Sequence, residues 1–311
     1  MLRVQAYKKN KKIAICLGDG CGLGNMLQAL PAAQALHELG NTCDLFLSGF
    51  MYAGIADAVR GQPYVRDIYE NTYDNREGVY DVCIVSFLSD HRVDNAKKYL
   101  KLKKDWGKKS EYGQYCRAAE KLGAKDFKRP QLNIAEKRFN LKPLSVLLHA
   151  GCTNRKYWER RKWTHYKELV DLLVNDGFHI YCCGKGDEKI DHPGVTSYND
   201  LPIQETAALI NQCDLFLSND SGLMHLAAAL RKRQIAIFTA SSDRKSGPYY
   251  NPHARVIKPE LACYPCYGND RAWNQCANWK CRDSITFDKV HDLIKTMLHQ
   301  HPKDAAAATV R

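Results

Sequence analysis

Short apolar runs alternate with segments of helical periodicity along most of this chain. In the first half the runs are of strand length: IAICLG (13–18), CDLFLS (43–48) and YDVCIVSF (80–87). Continuous apolar runs bounded by glycine or polar residues are typical of strands that are buried on both faces. With helices between them, such strands predict an α/β fold built on a parallel sheet.

The alternation starts again after a polar segment that contains Pro130 and Pro143, which is the best linker candidate. Four strand-length runs follow it, at 144–150, 178–184, 213–218 and 234–240. Two halves of this kind in 311 residues predict two doubly wound domains, 1–140 and 141–311. Ligands of such sheets bind beyond the carboxyl ends of the strands, so the loops at those ends are the candidate sites.

The chain has a net charge of +12, from 46 Lys and Arg against 34 Asp and Glu. This balance favours an anionic partner, such as a nucleic acid, a phosphorylated lipid at a membrane face, or a nucleotide-sugar. The segment 97–109 holds seven lysines and is either a solvated helix face or an acceptor-side patch that includes Lys103 and Lys104.

No apolar run approaches the roughly 20 residues of a membrane-spanning helix. The basic start of the chain leads into a strand and a glycine loop, which differs from a signal peptide. We therefore expect a cytoplasmic protein without a transmembrane segment, for which a peripheral contact with a membrane face is compatible with the positive charge.

A glycine-rich loop, GDGCGLGN (18–25), follows the first predicted strand. Its spacing is not the dinucleotide fingerprint, because the third position is Asn25, and no Gly-Lys-Ser/Thr follows as in a P-loop. Glycines at a helix N-terminus let a substrate approach the backbone closely. Gly22 and Gly24 are therefore acceptor-side candidates.

Two loops of the second half carry the groups expected around a phosphorylated ligand. HAGCTNRKYWERRKW (149–163) is either a solvated basic loop or a set of partners for a diphosphate, with Arg161 and Lys162 near its end. NDSGLMHLAAAL (219–230) begins with residues that can cap a helix, and the same helix start offers free N–H groups to a phosphate.

Three segments together resemble glycosyltransferase family 9, the ADP-heptose-dependent heptosyltransferases and their protein-modifying relatives. They are GLGNMLQALPAAQAL (22–36), HAGCTNRKYWERRKWTHYKELV (149–170) and FLSNDSGLMHLAAAL (216–230), of which the last, an Asp-Ser-Gly-x-x-His pattern, is the most diagnostic. The resemblance extends over nearly the whole chain. It implies two facing Rossmann-like domains of the GT-B type, with the acceptor side first and the last helix, about 286–299, packing back on the first domain.

The resemblance also implies roles for single residues. Lys162 and Arg161 would lie near the donor phosphates, and Ser221 and Gly222 at the diphosphate itself. The remaining donor-side positions that it implies are Asp220 and His225, around the sugar and nucleotide, and Gly184 and Asp187, by the nucleoside.

Position 25 departs from the family pattern, in which an aspartate stands in the first loop. An amide does not accept a proton at neutral pH, so Asn25 is not a general base, and Asp19 is the nearest carboxylate in the same loop. We expect Asp19 to deprotonate an acceptor hydroxyl that attacks the anomeric carbon opposite the leaving nucleoside diphosphate, with inversion. Because cations are available for the diphosphate and the chain has no Asp-x-Asp pair, no Mg²⁺ is required in this mechanism.

Four of the thirteen cysteines crowd into one segment, as Cys263, Cys266, Cys276 and Cys281. The spacing fits a structural site of four thiolates for zinc or iron, and the alternative is a set of buried thiols or an oxidised pair. The segment also resembles the cysteine finger of autotransporter-modifying heptosyltransferases, which implies iron. The other nine cysteines are expected to be small core residues.

The acceptor implied by this pattern is an anionic saccharide of the lipopolysaccharide core or a protein, and ADP-heptose is the implied donor. Two alternatives remain open at this point. One is a transferase of the same fold that uses another nucleotide-sugar to modify hydroxylated DNA bases. The other is a nucleic-acid-binding protein without catalysis, in which the lysine run contacts the backbone and the cysteines form a zinc ribbon.

Overall fold

Two separate parallel sheets contain all the strands that a computed structural model of the protein describes. The residues described are 10–18, 21–47, 54–70, 79–86, 96–103, 110–152, 156–267, 274 and 276–299. The chain divides into two compact units, residues 1–133 and 134–311. The boundary was predicted after residue 140 and lies seven residues earlier, after residue 133. The reason is that residues 135–139 form hydrogen bonds with a helix of the second unit. Ala135 N–H donates to Gln204 O (3.1 Å) and Phe139 N–H donates to Gln212 Oε1 (2.9 Å).

The first unit holds a five-stranded sheet in the order β3-β2-β1-β4-β5, with every pairing parallel. Its strands are β1 (Lys12–Cys16), β2 (Thr42–Leu47), β3 (Ile68–Glu70), β4 (Val82–Val85) and β5 (Tyr99–Lys101). Its helices are α1 (Leu23–Glu38), which joins β1 to β2, and α2 (Glu111–Glu120), which follows β5, together with a 3₁₀ helix, Ile55–Ala58. Helices α1 and α2 pack against each other.

The second unit holds a six-stranded parallel sheet in the order β11-β10-β9-β6-β7-β8. Its strands are β6 (Ser145–His149), β7 (His179–Gly184), β8 (Val195–Asn199), β9 (Leu215–Asn219), β10 (Gln234–Ile237) and β11 (Ala254–Ile257). Its helices are α3 (Tyr166–Asn175), α4 (Ile203–Gln212), α5 (Gly222–Ala229), α6 (Asp243–Ser246), α7 (Lys280–Asp283) and α8 (Phe287–His299), with 3₁₀ helices at Lys156–Arg161 and Gly186–Glu188. The prediction of two Rossmann-like α/β domains is thus confirmed.

The central strands are buried because their sequences are apolar on both faces. In β4 and β6 every residue is buried, as expected for parallel strands covered by helices on each side. The nine cysteines outside the 263–281 segment are likewise all buried, as predicted. Burial raises the pKa of several of these thiols, to about 12 for Cys43 and Cys152, so they stay protonated and pack as small apolar groups.

The last helix, α8, packs on α3 with a buried face formed by Val290, Ile294 and Leu298. Asp176, which caps α3, reinforces this contact at the surface through a hydrogen bond with His291 Nε2 (3.1 Å) and an ion pair with Lys295 (2.7 Å). The apolar face of α8 is therefore used within the second unit, and the predicted packing of this helix on the first domain stays a prediction.

The lysine-rich segment differs from the predicted helix face. Its described part contains strand β5, at the edge of the first sheet, and helix α2 begins only at Glu111. Lys97 forms an ion pair with Asp81 (2.7 Å), and the side chain of Lys103 is exposed. In the described part of the chain no helix is long and apolar enough to cross a membrane.

Candidate functional site

The second sheet has its topological switch point between β6 and β9. From β6 the chain proceeds outward through β7 to β8, and from β9 it proceeds in the other direction through β10 to β11. The register places His149 opposite Ser218, so the loops that follow these two strands leave the sheet side by side. A crevice of this kind is where doubly wound sheets bind their ligands.

Asn219, at the end of β9, is fully buried and forms hydrogen bonds with the loop that follows β6. Its amide group donates to Ala150 O (2.7 Å) and Gly151 O (3.3 Å). Its carbonyl oxygen accepts from Trp163 N–H (3.0 Å) and from the Tyr166 hydroxyl (3.2 Å). One side chain therefore sets the position of the loop after β6 and of the chain entering α3.

Helix α5 begins directly at this edge, with Ser221 as its N-cap. The Ser221 hydroxyl accepts from Met224 N–H (3.4 Å), and Gly222 is the first helical residue. A helix start of this type presents unpaired N–H groups and the positive end of the helix dipole to an anion. Two of the predicted donor residues therefore lie where the backbone itself favours a phosphate.

Arg161 and Lys162 are brought to the same edge by the 3₁₀ helix after β6. Arg161 forms an ion pair with the buried Asp220 (3.4 Å), and its guanidinium lies 3.9 Å from the ring centroid of Trp158. Lys162 is paired with Glu159 (2.8 Å). Because the next residue, Trp163, is buried and hydrogen-bonded at both nitrogens, the backbone after the 3₁₀ helix is fixed against the end of β9, and Arg161 contacts Asp220 just before the start of α5.

His225 lies one turn into α5 and is buried. Within the described residues its Nδ1 atom and the Nε atom of Arg161 have no hydrogen-bond partner. Burial lowers the pKa of His225 to about 4, partly offset by the charge of Asp220. The imidazole is therefore neutral at pH 7. Buried polar atoms without partners are rare in folded proteins, so both are candidates for a contact with a ligand.

The edge of β7 carries the predicted nucleoside residues, and it is Glu188, not Asp187, that faces the crevice. Asp187 is exposed. Glu188 accepts a hydrogen bond from Lys185 N–H (2.8 Å), and a Cβ atom added at Gly151 would overlap its carboxylate. A Cβ at Gly184 would lie 2.7 Å from the same carboxylate, in a backbone conformation (φ +147°) that favours glycine.

The cysteine segment packs beside this edge. Cys266 and Cys281 form a small buried cluster with Ala240, in the loop after β10, and Tyr267 N–H donates to Ala240 O (3.1 Å). The ring of Tyr267 lies 5.1 Å from the Arg161 guanidinium. The segment therefore supports the position of Arg161.

The described residues do not contain a preformed metal site. Burial, with the charges of neighbouring thiolates as a smaller cause, raises the pKa of Cys281 to about 11, so the four sulfurs are near enough to interact. However, no three or more Cys, His, Asp or Glu side chains of the described residues are arranged to hold a metal ion. The four-thiolate arrangement predicted from spacing is thus not supported by these positions.

The first unit has its own switch point, between β1 and β4, and α1 begins there. Gly22 is the N-cap of α1, Gly24 lies in its first turn, and the Asn25 side chain accepts from Gly22 N–H (2.9 Å). The Asn25 amide donates to both carboxylate oxygens of Glu111 (3.0 and 2.9 Å). The predicted residues Asp19 and Lys104 lie outside the described residues.

Similarity to characterised proteins agrees with this site. The lipooligosaccharide heptosyltransferase 2 of Campylobacter jejuni is 32% identical over 100 residues, which are 32% of this chain and 30% of that protein. The chain thus aligns with less than half the length of the curated relatives that it matches.

Solved structures show the same fold over almost the entire chain. ADP-heptose lipopolysaccharide heptosyltransferase II of E. coli has a TM-score of 0.67 at 17% identity, covering 93% of this chain and 99% of that one. TibC of enterotoxigenic E. coli, described as an iron-containing dodecameric glycosyltransferase, has a TM-score of 0.65 at 18% identity, covering 96% of this chain and 80% of that one. At these identities the likeness establishes the fold alone.

A match to a family model identifies the family, which the similarity of fold does not. The model of glycosyltransferase family 9 (heptosyltransferase) matches residues 85–276, from the end of β4 through the whole switch-point edge of the second sheet to the cysteine segment. With the two parallel sheets and the Asp-Ser-Gly-x-x-His helix start in place, this match shows that the chain belongs to glycosyltransferase family 9.

Proposed function

We propose that the protein is an inverting heptosyltransferase that transfers heptose from ADP-heptose to a hydroxyl group of a lipopolysaccharide-core saccharide or a protein. The second unit binds the donor and the first unit binds the acceptor. The observation that carries the proposal is the edge where Arg161, Lys162 and the start of α5 lie, because guanidinium, ammonium and backbone N–H groups at the switch point can all donate to phosphate oxygens.

This edge suits a nucleoside diphosphate better than it suits a neutral ligand. The start of α5 supplies backbone N–H donors, and the guanidinium of Arg161 can bind phosphate oxygens in a bidentate manner. Asp220 balances the arginine in the absence of ligand, so the charge is not exposed. The carboxylate of Glu188, between Gly151 and Gly184, is an acceptor for the hydroxyl groups of a ribose.

The chemistry of the transfer follows from these charges. The acceptor oxygen forms a bond to the anomeric carbon while the bond from that carbon to the phosphate oxygen breaks. The electron pair leaves with the diphosphate, whose negative charge increases in the transition state. Arg161, Lys162 and the α5 N–H groups are fixed before the reaction, so they stabilise this charge without reorganisation.

We expect turnover to persist in the presence of a chelator, because protein cations neutralise the leaving group in this mechanism. His225 is neutral at pH 7, since its pKa is about 4, and it acts as a hydrogen-bonding group toward the donor. Asp19, which lies outside the described residues, stays the carboxylate that the sequence predicts for the acceptor proton. Placement in the cytoplasm, where a nucleotide-sugar is available, completes the proposal.

The iron in TibC raises the question of whether Cys263, Cys266, Cys276 and Cys281 hold a metal here. Among the described residues their positions do not form a ligand set. The prediction of structural iron or zinc is tested by the metal content per chain of the purified protein. A stoichiometric metal that is lost in Cys266→Ser would support it, and a metal-free protein of full stability would contradict it.

Donor binding and transfer are tested in two steps. Calorimetric titration with ADP, UDP and GDP identifies the base, and we expect selective binding of ADP. ADP release from ADP-heptose is then followed with a heptose-deficient lipopolysaccharide core as acceptor. Failure to bind any nucleoside diphosphate would refute the proposal. Selective binding of UDP or GDP would refute the heptose assignment and favour the alternative acceptor, hydroxylated DNA.

A further inference from the structure

The first unit contains a buried carboxylate that the sequence alone does not single out. Glu111 is 2% exposed, although it is the first residue of helix α2. Both of its oxygens accept hydrogen bonds from the Asn25 amide, at 3.0 and 2.9 Å. Glutamate is almost never this deeply buried without a specific partner, because removing its charge from water is costly.

The pair lies at the switch point of the first sheet. Asn25 is in the first turn of α1, which leaves the carboxyl end of β1, and the neighbouring strand on the other side of the switch is β4. Glu111 begins the helix that follows β5. This edge is therefore the position at which a doubly wound sheet binds a ligand, and it corresponds to the donor edge of the second sheet.

Among the described residues, the pair is open on the side of Gly22. Asn25 and Gly22 are partly exposed, and a Cβ atom added at Gly22 would meet no described atom within 4 Å. The Asn25 side chain is held at both ends, since its oxygen accepts from Gly22 N–H (2.9 Å) while its nitrogen donates to Glu111. Open space beside a fixed amide and a buried carboxylate is a suitable site for a hydroxyl group.

The charge of Glu111 is stabilised by its position. It lies in the first turn of α2, where the helix dipole and the free N–H groups favour an anion. The Asn25 amide adds a hydrogen bond to each oxygen. A carboxylate that is sheltered from bulk water and hydrogen-bonded to a partly exposed amide can act as a general base for a hydroxyl group within hydrogen-bond reach.

We propose that Glu111 is the proton acceptor for the acceptor hydroxyl, and that Asn25 positions its carboxylate. This inference rests on the proposed transfer activity. The hydroxyl proton moves to a carboxylate oxygen of Glu111, and the acceptor oxygen forms its bond to the anomeric carbon. The bond from that carbon to the phosphate oxygen breaks, and its electron pair leaves with the nucleoside diphosphate. Asp19 is then dispensable for the proton transfer.

The experiment exchanges the two members of the pair. Glu111→Gln keeps the shape and an oxygen that accepts from Asn25, but it removes the proton acceptor. The double variant Asn25→Asp with Glu111→Gln restores one carboxylate in the same amide–carboxylate pair. The control is Glu120→Gln, which neutralises an exposed glutamate at the other end of α2.

Activity is measured as ADP release from ADP-heptose with the heptose-deficient core acceptor, across pH 4 to 9. We expect kcat to fall by roughly 100-fold or more in Glu111→Gln and the acidic limb of its pH–rate profile to disappear. The double variant should recover at least tenfold of this loss, with an acidic limb at a new position. Glu120→Gln should stay within about threefold of wild type. ADP affinity, measured by calorimetry, should be unchanged in every variant and shows that each is folded.

The outcomes separate the two proposals. A wild-type protein without turnover refutes the proposed function and the inference that rests on it. An active wild type with an active Glu111→Gln refutes only the role of Glu111. If Glu111→Gln does not fold, the double variant decides, because a folded double variant without turnover contradicts the proposal.

Discussion

Replacement of Asn219 by alanine is expected to affect both stability and donor binding, because this buried side chain makes three hydrogen bonds at the switch point and shares the single hydroxyl proton of Tyr166 with His149 O. The Tyr166 hydroxyl keeps its bond to His149 O (3.1 Å), so three groups lose their partner: Trp163 N–H, Ala150 O and Gly151 O. At about 1 kcal/mol for each bond, the variant should unfold with a free energy lower by about 3 kcal/mol.

Donor affinity should fall in the same variant, because the loop after β6 is no longer held against the start of α5. Without Asn219, ADP itself would have to order this loop, and the free energy of ordering would reduce the free energy of binding. A cost of about 1.4 kcal/mol corresponds to tenfold, so we expect ADP to bind roughly tenfold more weakly. Stability is measured by denaturant titration, and affinity by calorimetry under conditions where every variant is folded.

Asn251 provides the matched control. It is also buried, and it makes three hydrogen bonds, to Lys232 O (2.7 Å), Gln234 Oε1 (3.0 Å) and His253 N–H (2.9 Å). These partners lie at the opposite end of β10, at its amino end. Asn251→Ala should therefore lose a similar amount of stability while binding ADP normally. Equal ADP affinities in the two folded variants would refute the reasoning.

Three further predictions concern the same unit. Arg161→Lys keeps the charge but loses the paired N–H donors of the guanidinium and its stacking on Trp158. ADP affinity measured by calorimetry should therefore drop about tenfold. Unchanged affinity would contradict a role of Arg161 in phosphate binding. The depressed pKa of His225, about 4 against 6.5, favours the neutral form in the folded state, so the unfolding free energy should decline by up to about 3 kcal/mol as pH falls from 6.5 to 4. Denaturant titrations at several pH values should show a smaller decline in His225→Gln, and an equal decline would contradict this assignment. In alkylation at pH 8 followed by mass spectrometry, the exposed Cys263 should react before Cys281, which is buried and has a pKa of about 11; the reverse order would refute it.

The sequence by itself determined the fold class and identified the strand-end loops of the second half as candidates for the donor site. Apolar runs bounded by glycine or polar residues identified β1, β2, β4, β6, β7, β9 and β10, because buried parallel strands need no alternation of polar and apolar residues. The Asp-Ser-Gly pattern identified the start of α5 for a similar reason. A capping residue, a glycine and the end of a strand are local features that adjoin in the chain.

The lysine segment shows the limit of local patterns. Its charge is equally compatible with a helix face and with an edge strand, and pairing with β4 decided in favour of β5. Edge strands tolerate lysines because one side of the strand has no neighbour to be buried against. The sequence analysis named Asp187 and not Glu188, because a sequence does not show which of two adjacent acidic side chains lies against Gly151.

The functional pairs found only in the tertiary structure join residues far apart in the chain. Asn25 and Glu111 are 86 positions apart, and Asn219 and Ala150 are 69 apart. Hydrophobic periodicity reports which face of an element is buried, but not which element lies opposite it. That information comes from the strand order and from the packing of α1 on α2, which place the ends of distant elements at one edge of a sheet. The tertiary structure therefore decided which polar side chains meet at the two switch points.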